Sequence, residues 1–200
     1  MVNKVVFDAL SNDSIYEIRE IISKEIIPAI KKNRDIIILC IGTDRSTGDC
    51  LGPLVGEKLK FLSRNKIHIL GNLENPIHAK NLKDTLNNIN KLFNNPFIIA
   101  IDACLGSLPN VGKVIIDSKP LNPGSALNKD LPPVGNLSIT GVVNISGNLE
   151  FMVLQNTRLY VVMKLANVIS RGIYHGIIKT IGNRNFSHDN STDIVNEASF

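Results

Sequence analysis

Hydrophobic residues along the chain follow two periods, which predicts helices alternating with buried strands. In segment 14–31 isoleucines recur near helical spacing and predict an amphipathic helix; they are Ile15, Ile18, Ile22, Ile26 and Ile30. Ser14 and Glu17 form a capping box at its start, and Pro28 is expected to kink or thin the helix near its end. The continuous apolar run 36–41 that comes next is typical of a strand buried on both faces of a parallel sheet.

The same alternation continues through the rest of the chain. A helix is predicted to start at Pro53, since proline suits the first helical position, and to run to about 63. Further strands are predicted at 67–70, 97–101, 114–116 and 139–145, with a helix at about 79–93. Segment 149–173 is apolar on more than one face and predicts one long helix packed on the sheet. Burial of its additional apolar face in a homo-oligomer would explain the same pattern.

Two segments carry no such pattern. Segment 120–136, with four prolines and two glycines, predicts a long irregular loop of the kind that is usually functional or disordered. The polar residues from 183 onward predict a frayed tail. With no repeat and no linker in the sequence, residues 1–200 are expected to form a single domain.

Strands that alternate with helices predict an α/β fold with three layers, in which a mostly parallel sheet carries helices on both faces. In such sheets ligands bind beyond the carboxyl ends of the strands, where the strand order reverses. If the order is flavodoxin-like, strands 36–41 and 97–101 are neighbours. Asp49, in the loop after the first, and Asp102, at the end of the second, would then open into one crevice.

Two carboxyl groups in one crevice can divide acid and base roles, because like charges at close range push their pKa values apart. The ionised group activates water, and the protonated group donates to the substrate. The helix at Pro53 would add its positive dipole end. The plainer interpretation is that Asp49 caps that helix and Asp102 accepts backbone amides in a turn.

Composition narrows the class of protein. The chain has 200 residues, 44% hydrophobic and 20% charged, which is ordinary for a globular domain with its own core. Its charge of +4 is spread among acidic residues, so no clustered patch for nucleic acid is expected. No signal peptide or membrane span is apparent, and three cysteines without CxxC spacing predict neither disulfides nor structural zinc. A cytoplasmic location is therefore expected.

One stretch carries a family resemblance. Residues 41–56, Ile-Gly-Thr-Asp-Arg-Ser-Thr-Gly-Asp-Cys-Leu-Gly-Pro-Leu-Val-Gly, resemble the signature of YyaC-type sporulation proteins, described as spore proteases. The resemblance extends from about 35 to 172. More distantly, the stretch is similar to the germination protease of spore-forming bacteria, whose two essential aspartates fall on Asp49 and Asp102. The segments Pro123-Gly-Ser and Gly135-Asn also look similar to the germination-protease residues that come after the second aspartate.

The resemblance implies a sporulation-associated peptidase with an aspartate pair, acting in the forespore or spore on a protein or peptide such as the small spore proteins. A remoter likeness to hydrogenase-maturation endopeptidases implies a phosphorylase/hydrolase-like fold. In that family two acidic residues and a histidine hold nickel, and Asp49 and Asp102 match the acidic positions. The four histidines are scattered along the chain: His68, His78, His175 and His188. None of them matches the position of the nickel-binding histidine, so neither metal nor cofactor is expected.

Neighbouring residues supply the remaining candidates. The loop between the first strand and Asp49 is expected to bind substrate through Thr43, Asp44, Arg45, Ser46 and Thr47, although Asp44 and Arg45 could instead pair with each other. Ser46 lacks an adjacent base and is not a serine nucleophile, and Gly42 to Gly48 lacks the Lys-Ser/Thr of a phosphate loop. Cys50 and Cys104 are expected to pack rather than react. Two other functions stay open: a non-catalytic peptide- or partner-binding protein, and a metal-dependent maturation endopeptidase.

Overall fold

Strands and helices alternate along the computed structural model, which describes residues 4–123 and 131–181. The strands in the described residues are β1 (Val5–Asp8), β2 (Ile36–Cys40), β3 (Ile67–Leu70), β4 (Phe97–Gly106), β5 (Lys113–Asp117) and β6 (Leu137–Ile145). The helices are α1 (Ser14–Lys31), α2 (Leu51–Leu59), α3 (Leu82–Leu92), α4 (Glu150–Gln155) and α5 (Leu159–Ile181). Short 3₁₀ turns lie at Lys60–Leu62 and Leu108–Asn110.

The strands form one sheet in the order β1-β5-β6-β4-β2-β3. β3, β2, β4 and β6 pair in parallel, while β5 is antiparallel to both β6 and β1. Five strands therefore run in one direction and only β5 runs against them. The expected neighbours, β2 and β4, do pair, with Cys40 opposite Ile101 at the end of β2.

Side chains of β2 alternate between two cores. Ile36, Ile38 and Cys40 belong to a cluster with the buried faces of α1, α2 and α5. Ile37 and Leu39 belong to a second cluster with α3 and the residues around 121 and 134. Because the apolar run is buried on both sides, the sheet lies between two helical layers. The prediction of a three-layer α/β fold with a mostly parallel sheet is confirmed.

The largest helix contact joins α1 to α5 through two glycines. Ile18 and Ile22 of α1 are fully buried, and a Cβ added at Gly172 or Gly176 of α5 would collide with them. The hydroxyl of Ser23 also lies within hydrogen-bond distance of the carbonyl oxygen of Gly176, at 3.2 Å, and links the two helices. Close approach of two helix backbones therefore depends on residues without side chains.

The limits of several predicted elements are confirmed, and others are corrected. α1 covers 14–31 as predicted, with Pro28 inside it. The capping box is wrong: the N-cap of α1 is Asp13 without a side-chain bond, and the Ser14 hydroxyl instead donates to the carbonyl of Asp8. That contact ties α1 to β1, a four-residue edge strand that the sequence pattern did not reveal because only Phe7 in it is buried. α2 also starts earlier than Pro53, at Leu51.

The single long helix predicted over 149–173 is wrong. Two helices, α4 and α5, occupy this region with a break between them. At the break the carbonyl of Val153 accepts the hydroxyl of Thr157 at 2.8 Å and the side-chain amide of Asn144 at 3.3 Å. The Thr157 N–H turns instead to the carbonyl of Leu154. Side chains therefore occupy the acceptor that a continuous helix would have used.

The predicted loop and tail fall partly outside the described residues. Of loop 120–136, residues 121 and 134 form a two-bond antiparallel bridge, while 124–130 lie outside the described ranges, as does the tail from 183. None of the helices in the described ranges has the combination of length and apolarity that a bilayer crossing requires.

We expect Ile22→Ala to lower the free energy of unfolding by about 2–5 kcal/mol, because it opens a cavity between α1 and α5. Ile27→Ala on the same helix is the matched control: Ile27 is 38% exposed, so a loss below about 1 kcal/mol is expected. Urea denaturation of the full chain measures both. Equal losses for the two variants would contradict the α1–α5 contact.

Candidate active site

A cleft of about 530 Å³ opens beyond the carboxyl end of β2 and beside the middle of β4, and both Asp49 and Asp102 line it. The strand pairing explains this meeting. Ile41 follows β2 directly and its N–H donates to the carbonyl of Ile101 at 2.7 Å, one residue before Asp102. The loop that leaves β2 therefore starts beside Asp102. The residues that were expected to share a crevice do share it.

The loop from 42 to 50 is held in place by backbone hydrogen bonds. Gly42 has φ +139°, and its N–H donates to the carbonyl of Ile77 at 2.7 Å. A Cβ on Gly42 would collide with the carbonyl oxygen of Asp49, an oxygen that also accepts the N–H of Thr43 at 3.2 Å. Gly48 donates to the carbonyl of Leu154 at 2.8 Å. The loop is thus folded back on itself, and this sets the position of Asp49.

Asp102 lies inside β4, which continues to Gly106, and not at the strand end that the sequence predicted. By strand alternation it shares a face with Ala100, and it is 7% exposed. One carboxyl oxygen accepts the N–H of Ala103 at 2.8 Å. Burial and then the negative charge of Asp49 raise the pKa of Asp102 well above its ordinary value, and the Ala103 bond offsets this only in part.

Asp49 does not occupy the N-cap position of α2. The N-cap residue of α2 is Cys50, and it makes no side-chain capping bond. Asp49 stands immediately before this N-cap, where the positive end of the helix dipole favours a negative charge. The two carboxyl groups therefore differ in environment: Asp102 is enclosed by the sheet, whereas Asp49 is partly exposed at a helix start.

Three of the five predicted substrate-binding residues line the cleft: Thr43, Arg45 and Ser46. Asp44 and Thr47 are not among its lining residues, and Asp44 is exposed. The alternative that Asp44 and Arg45 form an ion pair is not seen either. Thr43 Oγ1 instead accepts the N–H of Arg45 at 3.3 Å.

His78 also lines the cleft, which sequence reasoning missed when it treated the histidines as scattered. The residue before it, Ile77, pairs with Ile41 and accepts the N–H of Gly42, so the segment runs beside the end of β2. The N–H of His78 donates to Asn81 Oδ1 at 2.8 Å, just before α3. The available signal was topological: β3 is parallel to β2, so the chain leaving β3 emerges at the same edge of the sheet.

The cysteines beside the aspartates are protonated packing residues at neutral pH. Burial, with a contribution from the Asp49 charge, raises the pKa of Cys50 to about 11. Burial likewise raises the pKa of Cys104 to about 11. The Cys50 thiol donates to the carbonyl of Thr47 at 2.9 Å. A thiolate nucleophile is therefore disfavoured at both positions.

A metal centre requires several donor side chains grouped around one point. Within residues 4–123 and 131–181, no three His, Cys, Asp or Glu side chains are grouped so that they could hold a metal ion. Asp49, Asp102 and His78 share the cleft without forming such a group.

Comparison with known proteins shows that the cleft lies in the part of the chain that defines a protein family. A family model described as "Protein of unknown function (DUF1256)" matches residues 7–172. The chain is 52% identical over 157 residues to "Uncharacterized protein YyaC" of Bacillus subtilis (strain 168), covering 78% of this chain and 76% of that protein. Both Asp49 and Asp102, and also His78, lie within the residues that the family model matches.

Among solved structures, the chain is similar to the crystal structure of a NiFe hydrogenase maturation protease, HycI, from Thermococcus kodakarensis KOD1. The sequence identity is 18% and the TM-score is 0.45, and the match covers 70% of this chain and 92% of that chain.

We expect Asp102→Asn to stabilise the protein increasingly as pH rises. In the folded state Asp102 keeps its proton at pH values where the same carboxyl group in the unfolded chain has lost it. The wild type therefore loses stability as the pH rises from about 4 to the raised pKa of Asp102. The slope is about 1.4 kcal/mol per pH unit for this one proton. Asparagine has no proton to lose, and its side-chain oxygen can still accept the Ala103 N–H.

Urea unfolding of both proteins between pH 4 and pH 9 measures this difference. Asp84→Asn, at an exposed position on α3, is the control and should follow the wild-type curve. A constant stability gap between Asp102→Asn and wild type at every pH would show that Asp102 titrates normally.

Proposed function

The chain belongs to the DUF1256 family of proteins of unknown function, and we propose that it is a peptidase that hydrolyses peptide bonds with Asp49 and Asp102 as an acid/base pair. One observation carries the proposal. Carboxyl groups from β4 and from the loop after its parallel neighbour β2 line a single cleft, and the pKa of one of them is raised by burial and by the charge of the other. That asymmetry is the condition for dividing proton donation from proton acceptance.

In the first step, the Asp49 carboxylate takes a proton from a water molecule as the water oxygen bonds to the carbonyl carbon of the scissile peptide bond. Asp102 gives its proton to the carbonyl oxygen, so that no full negative charge builds up on it. The product is a tetrahedral diol. At this point Asp49 is protonated and Asp102 is ionised.

In the second step the protons return. Asp49 gives its proton to the peptide nitrogen as the carbon–nitrogen bond breaks, and Asp102 takes a proton from one hydroxyl of the diol as the new carboxyl group forms. Both aspartates end in their starting states, so the sum of the two steps is hydrolysis by one water molecule. General acid–base assistance of this kind contributes about 10²–10⁴-fold to a rate.

The surroundings of the pair support this chemistry. Apolar side chains contribute much of the cleft lining, and they are Ile41, Leu131, Phe151 and Leu154. A less polar environment strengthens the interaction between the two carboxyl groups and keeps the Asp102 proton in place. The cleft is also large enough for several residues of an extended peptide.

The proposal extends to sporulation. The family resemblance of segment 41–56 supports a peptidase that acts in the cytoplasm of the forespore or in the spore interior, with small spore proteins as substrates. A relative in Bacillus subtilis gives a host in which spore extracts can be tested.

We expect Asp49→Asn and Asp102→Asn each to reduce peptide cleavage by about 10²-fold or more, because either change removes a proton carrier. The measurement is liquid-chromatography mass spectrometry of a randomised peptide library incubated with each protein, followed by kinetics on a cleaved peptide. The wild-type rate should fall on the alkaline side as Asp102 loses its proton, at a pH well above the ordinary carboxyl range.

Asp84→Asn serves as the control and should cleave at the wild-type rate. Cleavage in the presence of EDTA distinguishes hydrolysis by the aspartate pair from that of a metal-dependent maturation endopeptidase, which the chelator would inactivate. Cleavage that persists in Asp49→Asn and Asp102→Asn would refute the proposal. Retained peptide binding without any wild-type cleavage would instead favour the non-catalytic binding protein.

A further inference from the structure

Two buried side-chain atoms in the described ranges lack a hydrogen-bond partner, and both belong to residues that line the cleft. They are the hydroxyl oxygen of Ser46 and Nδ1 of His78. Ser46 is 7% exposed, so its side chain is enclosed although the cleft is next to it. The acid/base mechanism of Asp49 and Asp102 uses neither atom.

Other buried hydroxyls in the described part of the chain do find partners. Ser23 donates to the carbonyls of Arg19 and Gly176, Ser138 to that of Asp117, and Ser170 to that of Asn167. A buried polar atom without a partner is destabilising and uncommon in folded proteins. Finding two of them at one cleft indicates that a partner arrives from outside the chain.

Both residues belong to segments that backbone hydrogen bonds join at Gly42. His78 follows Ile77, whose carbonyl accepts the Gly42 N–H, and its own N–H donates to Asn81 Oδ1. Ser46 sits in the loop that Gly42 opens and that Gly48 closes through the carbonyl of Leu154. A change of side-chain rotamer would turn the two polar atoms toward a ligand, since serine and histidine side chains each have alternative staggered positions.

We propose that Ser46 and His78 together form a subsite that binds one peptide unit of the substrate beside the scissile bond. A hydroxyl both donates and accepts, and a neutral imidazole Nδ1 does one or the other according to its tautomer. A peptide unit offers one N–H and one carbonyl oxygen, which matches this pair. Arg45 and Lys80 line the cleft together with Asp49, so an anion such as phosphate is the competing ligand that the test must exclude. Identifying the ligand as a peptide rests on the proposed function.

The test is a binding measurement that needs no catalysis. N-acetyl-tetraalanine amide is titrated into the full-length Asp102→Asn protein carrying ¹⁵N-labelled histidine, and the Nδ1 shift of His78 is followed by NMR. We expect the shift to change with peptide. Ser46→Ala and His78→Leu, each added to Asp102→Asn, should weaken peptide binding roughly fivefold, about one hydrogen bond each. His78→Asn keeps a polar atom near the Nδ1 position and should bind better than His78→Leu.

Stability separates a binding role from a structural one. Since the Ser46 hydroxyl has no partner in the fold, Ser46→Ala should leave the melting temperature unchanged or raise it. Ser170→Ala removes a buried hydroxyl that has a partner, and should lower the melting temperature without affecting peptide binding. His175→Leu, at an exposed position on α5, is the control for the histidine and should bind peptide as its parent does.

The outcomes of this inference and of the proposed function can be told apart. Suppose that the wild-type protein cleaves no peptide but binds peptide in a way that depends on Ser46 and His78. That result would support the proposed subsite and refute the proposed peptidase activity. Cleavage with wild-type KM in Ser46→Ala and His78→Leu would keep the peptidase and overturn the subsite. A His78 shift produced by inorganic phosphate and not by the peptide would also overturn it, as would no shift at all.

Discussion

Parallel pairing of β2 with β4 is the constraint on which the rest of this site depends. With Cys40 opposite Ile101, the chain leaving β2 starts one residue away from Asp102. The loop must then turn back within a few residues, and Gly42 allows it because a larger residue would collide with the carbonyl of Asp49. If this register slipped by one residue, Asp102 would face the opposite side of the sheet. The cleft is therefore a consequence of strand register and of one glycine.

The same pairing creates a conflict between stability and chemistry. Asp102 stands on a strand whose other inward positions are apolar, and the folded protein keeps it there by holding its proton. A hydrophobic residue in its place would stabilise the sheet more. Ser46 and His78 show the same pattern, because each buries a polar atom without an internal partner. Within residues 4–123 and 131–181 these unpartnered atoms are confined to one cleft. Such a concentration of unfavourable groups is typical of functional sites.

Much of the fold could be read from local pattern. The apolar run at β2, the isoleucine spacing of α1 and the strand at β3 each result from periodicity over a few residues, and the structure confirms them. The start of β4 at Phe97 is confirmed as well, but the strand continues past Asp102 to Gly106. The family resemblance to YyaC-type proteins is also confirmed. The pattern failed where tertiary contacts competed with it. β1 pairs with the edge that β5 offers, and at the α4–α5 break the Val153 carbonyl accepts hydrogen bonds from the side chains of Thr157 and Asn144.

The sequence by itself determined the alternation of strands and helices, and with it the α/β fold and the sheet edge at which two aspartates could meet. Hydrophobic periodicity extends over only a few neighbouring residues, so it can be read from the sequence alone. Only the tertiary structure decided what else reaches that edge. His78 joins the cleft through a bridge between Ile77 and Ile41, and Asp44 and Thr47 are absent from its lining although they are neighbours of Ser46. These outcomes depend on distances between segments far apart in the chain, which no local pattern encodes.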